Sequence, residues 1–242
     1  MTTCYLSLII PAYNEEKRVL PTLEKICEYL DKQQFSYEII IIDDGSTDNT
    51  LQVIHDYMRL KEHIVVFPNR RNMGKGYSVR RGMLSAEGRY IFFTDADLST
   101  PIEEIDKCLL YLINGYDVVI GSRSKKGADI IIRQPWYREK MGKIFNGMVN
   151  LLLFKGIIDT QCGFKGFKKD VAKKVFNRCR IHGFSFDVEA LYLAQKHHYK
   201  IKEVPIRWEN SALSTVSPIK HSLQMFKDLV NIRIKDYQGH YQ

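Results

Sequence analysis

Short apolar runs alternate with helix-like segments through the first half of the chain, and this alternation constrains the fold most strongly. The runs are rich in Ile, Val and Phe, which is typical of buried strands. Between them, apolar residues recur three or four positions apart, as in amphipathic helices. The pattern predicts an α/β fold with a mostly parallel, doubly wound sheet and helices on both faces. The predicted strands are residues 6–10, 38–43, 64–67, 90–94 and 117–121.

The second half of the sequence has a less regular pattern. A helix is predicted to open at Pro101 and to end near Gly115, because proline suits a helix start and glycine a helix end. Residues 201–208 are predicted to form a strand, since Pro205 would break a helix. Two more helices are predicted over residues 136–154 and 187–196, with a loop over residues 156–166.

The last helical segment, residues 218–237, is basic as well as amphipathic. Its apolar stripe comprises Leu223, Phe226, Leu229, Val230 and Ile234. Such a helix either lies in an anionic membrane interface or packs on the rest of the protein, and the stripe fits both alternatives. The chain has no internal repeat or low-complexity tract. We therefore expect a catalytic domain over residues 1–210 and a C-terminal helical appendage over residues 211–242.

Charge and cysteine content limit the classes of partner and compartment. The chain has 36 Lys and Arg against 28 Asp and Glu, and the net charge of +8 favours polyanionic partners. No RNP, zinc-finger or helix-turn-helix pattern accompanies this charge, so we expect no nucleic-acid partner. Five widely spaced cysteines without a C-x-x-C pair are typical of reduced thiols in a cytosolic protein.

Four polar clusters follow the predicted strands, where α/β sheets bind ligands. They comprise residues 11–15, 43–48, 72–76 and 95–97. Because the carboxyl ends of parallel strands meet at one edge of a sheet, these clusters are expected to form a single composite site.

Asp95 and Asp97 form the core of this predicted site. Residues two apart in an extended segment point the same way, so both carboxylates can face one divalent cation. Mg²⁺ and Mn²⁺ prefer oxygen ligands and are commonly shared between carboxylates and a substrate diphosphate. A lone D-x-D sequence is more often a solvated turn, but its position after the apolar run 90–93 favours metal binding.

The neighbouring clusters contain groups suited to a nucleotide. Asp43 or Asp44 can accept hydrogen bonds from base N–H groups and ribose hydroxyls, whereas residues 46–48 are expected to cap the following helix. Gly74 and Lys75 place open backbone and a cation at a helix N-terminus, which favours phosphate oxygens. This cluster matches neither the Walker sequence nor the dinucleotide fingerprint and is a weak signal alone.

Together, the four clusters resemble the motifs of family 2 glycosyltransferases, which have the GT-A fold. Motifs in the second half make the chain similar to dolichyl-phosphate β-glucosyltransferases within that family. These motifs are residues 121–123, 159–165, 186–189, 203–208 and 224–229. The resemblance covers nearly the whole chain. It implies a metal-dependent, inverting transferase that moves glucose or a similar hexose from a UDP-sugar to a polyprenyl phosphate.

The resemblance, together with the chemistry of each cluster, assigns roles to individual residues. The nucleotide is expected at Pro11, Ala12, Tyr13, Glu15, Asp43, Asp44, Gly74, Lys75 and Asp95. The metal, Mg²⁺ or Mn²⁺, is expected at Asp95 and Asp97.

The remaining catalytic candidates concern the acceptor and the transferring sugar. Arg123 and Arg138 are candidates for the acceptor phosphate, because a guanidinium group can hold phosphate with two hydrogen bonds. Arg138 fits an exposed position on a helix surface almost as well as it fits phosphate binding. Asp159 and Gln161 are expected beside the transferring sugar, and Asp187 is expected to orient groups and balance charge.

The chain differs from its relatives at the third metal ligand and at the membrane anchor. Related dolichyl-phosphate mannose synthases carry Gln where this chain has Ser99, so the resemblance does not identify the third metal ligand. No segment approaches the ~20 apolar residues of a membrane span. Contact with an anionic membrane is therefore expected to be peripheral, at the cytoplasmic face.

Rival functions remain open for this sequence. One rival is a family 2 transferase that adds a sugar to a glycan hydroxyl, although the Q-x-x-R-W sequence of processive enzymes is absent. Another is a nucleic-acid or anionic-membrane binding module that uses the net charge of +8. The complete set of nucleotide-sugar motifs argues against this second rival.

Overall fold

A computed structural model describes residues 4–153, 156–210 and 218–242, with the backbone alone for Arg138 and residues 218–223. The strands are β1 (Leu6–Ala12), β2 (Tyr37–Asp43), β3 (Ile64–Pro68), β4 (Tyr90–Phe93), β5 (Val118–Ser122), β6 (Asp129–Ile132), β7 (Lys165–Lys168), β8 (Ile201–Pro205) and β9 (Arg207–Glu209). The helices are α1 (Val19–Leu30), α2 (Thr50–Met58), α3 (Lys75–Ser85), α4 (Glu104–Ile113), α5 (Trp136–Leu152), α6 (Lys169–Arg178), α7 (Phe186–Lys196) and α8 (Pro218–Tyr237).

Seven strands form one mostly parallel sheet in the order β3-β2-β1-β4-β7-β5-β8, which confirms the predicted α/β class. Only β7 in this sheet runs antiparallel to its neighbours β4 and β5. The chain proceeds outward from β1 to β3 and then returns to β4 on the other side of β1. Ligands bind at such a reversal of strand order, and the carboxyl ends of β1, β2 and β4 lie next to each other there.

Both faces of the sheet are buried, as the apolar runs predict. In β1 and β2 alternate residues enter different cores, because successive side chains of a strand point to opposite faces. Ile9 and Ile42 pack in a core that also includes apolar side chains of α3, α5, α6, α7 and α8. Leu8 and Ile41 pack in a second core with side chains of α1 and α4. The sheet is therefore rigidly held at the edge that carries the polar clusters.

Two parts of the second half differ from the prediction. The loop predicted over residues 156–166 ends at Lys165, where β7 begins and is followed by α6. The segment 201–208 is two strands, since β8 joins the main sheet and β9 pairs with β6 in a separate two-stranded sheet. Ile206 lies between them, fully buried, and turns the chain from one sheet to the other.

Helix α8 packs on the first of these cores with one side and exposes apolar residues on another. Leu229 of the predicted stripe is fully buried, as is Ile232 outside that stripe. Phe226, Val230 and Ile234 are exposed. The side chain of Leu223 lies outside the described residues. Within residues 4–153, 156–210 and 218–242, no helix combines the length and apolar character that a membrane span requires.

Candidate active site

A cleft of about 760 Å³ lies at the carboxyl ends of the central strands, where the sequence predicts a composite site. Members of all four polar clusters line it. The predicted site residues in its wall are Pro11, Ala12, Tyr13, Asp44, Gly74, Lys75, Asp95, Asp97, Arg123 and Gln161. Glu15, Asp43, Asp159 and Asp187 are not part of the wall, and the side chain of Arg138 lies outside the described residues.

Lys75 and Asp95 form an ion pair in the centre of this cleft. Lys75 Nζ, at the start of α3, donates a hydrogen bond to Asp95 Oδ1 at 2.5 Å. Burial alone would lower the pKa of Lys75, but the charge and hydrogen bond of Asp95, together with the charges of Asp187 and Asp97, outweigh burial, and the pKa is raised. The ammonium group is therefore cationic throughout the neutral pH range. A Cβ atom on Gly163 would lie 2.0 Å from Asp95 Oδ2, so only glycine fits beside this carboxylate.

Asp97 lies near a second ion pair, whose cation, Arg18, is outside the motifs. Asp97 Oδ1 accepts a hydrogen bond from the backbone N–H of Ser99 at 3.1 Å. Arg18 NH1 is 3.9 Å from Asp97 Oδ2, and the same guanidinium holds Glu15 with two hydrogen bonds of 2.6 and 2.7 Å. Arg18 lines the cleft, although nothing in its sequence context distinguishes it from a surface charge.

Asp44 and Asp43 differ in their surroundings. The carboxylate of Asp44 accepts hydrogen bonds from the N–H groups of Met73 and Gly74, at 2.9 and 2.8 Å, and so joins the end of β2 to the start of α3. Asp43 is buried, and its Oδ2 accepts a hydrogen bond from Ser46 N at 3.3 Å. Its Oδ1 has no hydrogen-bond partner among the described residues.

The segment 46–48 contacts more than the helix that it was expected to cap. Asp48 Oδ1 accepts a hydrogen bond from Thr50 N, the first residue of α2, at 3.0 Å. Ser46 Oγ instead accepts one from Asn14 N at 3.0 Å, and Asp48 Oδ2 accepts one from Glu16 N at 3.3 Å. These bonds hold the loops after β1 and β2 together, which fixes the part of the cleft wall that Tyr13 occupies.

Arg123 and Asp159 form a largely buried pair beside the cleft. Arg123 Nε and NH2 donate to the two carboxylate oxygens of Asp159, each at 2.8 Å, and Arg123 N donates to Asp159 Oδ2 at 2.9 Å. Burial alone would raise the pKa of Asp159, but the charge and hydrogen bonds of Arg123 keep it below its usual value. Asp159 is therefore a fixed anion that orients Arg123, and only Arg123 faces the cleft.

Lys165 and Asp187 form a second buried pair that does not reach the cleft surface. Lys165 Nζ donates to Asp187 Oδ2 at 3.2 Å and to the carbonyl oxygen of Cys162 at 2.5 Å. Burial raises the pKa of Asp187, and the neighbouring lysines Lys165 and Lys75 oppose that effect. Because Gly163 follows Cys162 directly, this pair supports the turn that approaches Asp95.

Another part of the cleft wall is apolar, which the four polar clusters do not predict. It is formed by one side of α5 together with Trp208 and Met225. The α5 residues concerned are Met141, Ile144, Phe145 and Met148. The sequence predicts a helix over residues 136–154, but a helical pattern alone does not reveal which side of the helix faces a cleft. The cleft therefore has a charged half at the strand ends and an apolar half at α5.

The sequence model of glycosyl transferase family 2 matches residues 7–176, which include the four clusters, Arg123 and Asp159. The chain belongs to glycosyl transferase family 2. Similar family members are the dolichyl-phosphate beta-glucosyltransferases of Dictyostelium discoideum and Homo sapiens. The first is 38% identical, with 97% of this chain and 76% of that protein aligned. The second is 34% identical, with 98% of this chain and 77% of that protein aligned.

Solved structures of the same fold include glucosyl-3-phosphoglycerate synthase from Mycobacterium tuberculosis. Its complex with Mn²⁺, uridine-diphosphate and glucosyl-3-phosphoglycerate superposes with a TM-score of 0.68 at 15% sequence identity. The match covers 95% of this chain and 80% of that protein. This likeness confirms the predicted GT-A fold of the family 2 chain.

Proposed function

We propose that this family 2 glycosyltransferase transfers glucose from UDP-glucose to a polyprenyl phosphate. The observation that carries the proposal is the division of one cleft into a charged half and an apolar half, with Arg123 in the wall. A nucleotide-sugar needs the first half, and a phosphate attached to a lipid needs Arg123 and the second. Relatives at 34–38% identity that bear the name dolichyl-phosphate beta-glucosyltransferase support the same substrates.

The charged half suits the diphosphate of the donor. Lys75 lies at the N-terminus of α3, where the helix dipole favours anions, and Gly74 beside it lines the cleft. Pro11, Ala12 and Tyr13 at the end of β1 form the adjoining wall, which we assign to the nucleoside. Lys75 offsets the negative charge that develops on the leaving UDP as its bond to the sugar breaks.

A divalent metal is part of the proposal, and the donor set of the cleft fits it. Asp95 and Asp97 offer the hard carboxylate oxygens that Mg²⁺ and Mn²⁺ prefer. No group of three or more His, Cys, Asp and Glu side chains suited to a metal occurs in the described part of the chain. Sites of this kind commonly complete their shell with substrate phosphates and water. The bound cation would supply positive charge against the diphosphate.

The acceptor needs no protein base. A phosphomonoester has a second pKa near ~6 and is largely dianionic at neutral pH, so its oxygen is already nucleophilic. That oxygen forms a bond to the anomeric carbon while the bond from this carbon to the diphosphate oxygen breaks, and the configuration inverts. Arg123 binds and orients the acceptor phosphate, and Asp159 keeps Arg123 in position. Gln161 lines the cleft and is assigned to the sugar.

The apolar half leads to an exposed surface that suits a lipid. Ile144 of α5 lines the cleft and is also 56% exposed, so the apolar wall continues onto the outside of the protein. Helix α5 contacts α8, whose exposed residues Phe226, Val230 and Ile234 extend the apolar surface. Exposed lysines, Lys140 and Lys227, lie on the same two helices. We assign this surface to peripheral contact with an anionic membrane.

A comparison of donors and of acceptors tests the proposed reaction. UDP release is measured with UDP-glucose, UDP-galactose, UDP-N-acetylglucosamine and GDP-mannose, each with a short polyprenyl phosphate and Mn²⁺. We expect the highest kcat/KM for UDP-glucose, and release should depend on the lipid phosphate. A higher kcat/KM for another donor would refute the assignment of glucose. Release that is equally fast with a free sugar in place of the lipid phosphate would favour glycan synthesis.

A further inference from the structure

Glu189 belongs to a motif of the sequence, yet it does not line the cleft. It lies in the first turn of α7 and is fully buried. Its Oε2 accepts hydrogen bonds from the backbone N–H groups of Arg180 and Ile181, at 2.9 and 2.8 Å. Its Oε1 accepts a hydrogen bond from the hydroxyl group of Tyr241, which is also fully buried. A buried carboxylate needs such donors, because an unpaired one is costly.

The loop that Glu189 holds, residues 180–183, packs against the start of α3. The carbonyl oxygen of His182 accepts hydrogen bonds from the N–H groups of Gly76 and Tyr77, at 2.7 and 3.3 Å. A Cβ atom on Gly74 would lie 2.4 Å from this same oxygen. The contact therefore leaves no room for the loop to move toward α3, and Gly183 itself lines the cleft.

Tyr241 thus connects the segment after α8 to the charged half of the cleft. The path runs from the Tyr241 hydroxyl through the Glu189 carboxylate and the loop 180–183 to the N-terminus of α3. Burial and the nearby Glu189 carboxylate raise the pKa of Tyr241, so its hydroxyl stays protonated and remains a donor. The hydrogen bonds of Glu189 to Tyr241 and to Ile181 N are buried, that to Arg180 N is partly buried, and the His182 carbonyl makes the final contact with α3.

We propose that Tyr241 is a positioning residue for the donor nucleotide, which acts through Glu189 and the loop 180–183 on the start of α3. The proposal rests on the proposed function, because it assumes that Gly74 and Lys75 bind the diphosphate. Tyr241 does not touch the substrate. Its hydroxyl fixes a loop whose displacement would move the N-terminus of α3 and, with it, Lys75. The acceptor side at Arg123 is not on this path and should not depend on it.

The test replaces Tyr241 by Phe, which removes only the hydroxyl group. The dissociation constant of UDP is measured by calorimetry with Mn²⁺, and KM is measured for polyprenyl phosphate. We expect UDP to bind about fivefold more weakly, at the lower end of coupling between distant groups, and an unchanged KM for the acceptor. Tyr237→Phe is the matched control, because Tyr237 ends α8 with 96% of its surface exposed and should leave UDP binding unchanged.

The double variant Tyr241→Phe with Glu189→Gln separates a connected path from two independent losses. On a shared path, the double variant should bind UDP no more weakly than the weaker of the two single variants. Additive losses would overturn the path. In the unmodified protein, UDP with Mn²⁺ should slow hydrogen exchange at the amides of Arg180 and Ile181, since coupling is reciprocal. This second measurement decides the matter if Tyr241→Phe fails to fold.

The outcomes distinguish this proposal from the proposed function. If the unmodified protein does not bind UDP, the proposed function fails. If it binds UDP and Tyr241→Phe binds it equally well, the positioning role alone is refuted, even where the melting temperature falls. A parallel rise in the UDP dissociation constant and the acceptor KM would also refute it, because a general loss of structure explains both. The positioning role is also refuted if UDP leaves hydrogen exchange at the Arg180 and Ile181 amides unchanged.

Discussion

Replacing Asp159 by Asn removes the anion that holds Arg123 and keeps the shape of the side chain. Asp159 is 1% exposed and the Arg123 side chain is 25% exposed, so solvent screens this pair only weakly. Removing one partner of a buried ion pair costs roughly 3–5 kcal/mol. Because Asn keeps one acceptor oxygen, we expect about 3 kcal/mol, the lower end of that range. In a chain of this size, that corresponds to a fall of roughly 6–12 °C in the melting temperature.

The same change should affect the two substrates unequally. Arg123 loses its orientation, so the KM for polyprenyl phosphate should rise about tenfold, which equals 1.4 kcal/mol. The KM for UDP-glucose should change much less, because the hydrogen bonds of Asp159 go to Arg123 and not to Lys75 or Asp95. Turnover with lipid phosphate should remain measurable, since Asp159 is not a base in this reaction. Steady-state kinetics with each substrate varied in turn checks all three outcomes.

The pH dependence of stability provides a second check on the pair. The pKa of Asp159 is lowered in the folded protein, so its stabilisation is present above the unfolded value of ~3.9. It is lost as the pH falls through the lower, folded pKa. The difference in unfolding free energy between the wild type and Asp159→Asn should thus be full at pH 7 and shrink only below about pH 4.

A surface pair provides the matched control for this prediction. Glu28 and Lys32 are 3.0 Å apart, but their side chains are 73% and 68% exposed. Glu28→Gln should therefore lower the melting temperature by no more than about 2 °C. If Asp159→Asn has an equally small effect, or if the KM values of both substrates rise together, Asp159 does not hold Arg123 in place for the acceptor.

Three further predictions concern the metal, the acceptor and the membrane. Asp97→Asn should abolish transfer and leave the circular dichroism spectrum unchanged, whereas retained turnover with added Mn²⁺ would remove Asp97 from the metal site. Arg123→Ala should raise the KM for polyprenyl phosphate at least tenfold more than that for UDP-glucose; equal changes would indicate a structural role. Val230→Asp should reduce sedimentation with anionic liposomes at low salt, while Leu60→Asp, at another exposed apolar residue, should not. Equal effects of these two variants would contradict a membrane surface at α8.

The fold and the charged half of the site could be predicted because both depend on local patterns. The apolar runs at β1, β2 and β4 bury both faces of the sheet, and parallel pairing brings their carboxyl ends together. The convergence of Asp44, Lys75 and Asp95 can therefore be predicted without knowing the side-chain contacts. The ion pairs that hold these side chains in place, such as Lys75 with Asp95, depend on distances that cannot be read from a sequence.

Other parts of the structure depend on partners that are remote in the sequence. Strand β7 has the sequence KGFK and lacks an apolar run, so its propensity does not predict a strand. Lys165 of β7 is buried because it pairs with Asp187, 22 residues later. Gly166 is required because a Cβ atom there would lie 2.3 Å from the ring of Phe92. These contacts between distant residues override local preference, and they explain why a loop was predicted there.

The apolar wall of the cleft is a further case of this kind. The sequence pattern predicts the helix α5, but the direction of its apolar side depends on the position of the helix relative to the sheet. Phe145 faces both the cleft and the core, while Leu151 on the same helix is exposed. Tyr241 was missed for a similar reason, because its partner Glu189 is 52 residues away and nothing near Tyr241 marks it as buried.

Transfer of radiolabelled glucose to two acceptors of equal chain length, a polyprenyl phosphate and the corresponding polyprenol, tests the central claim most directly. The protein is incubated with labelled UDP-glucose, Mn²⁺ and one acceptor, and the label in the organic phase is measured. We predict a labelled lipid with the phosphate and none with the polyprenol, because the phosphate is the nucleophile and Arg123 binds it. Labelling of the polyprenol, or no lipid product from a protein that binds UDP, would contradict the account.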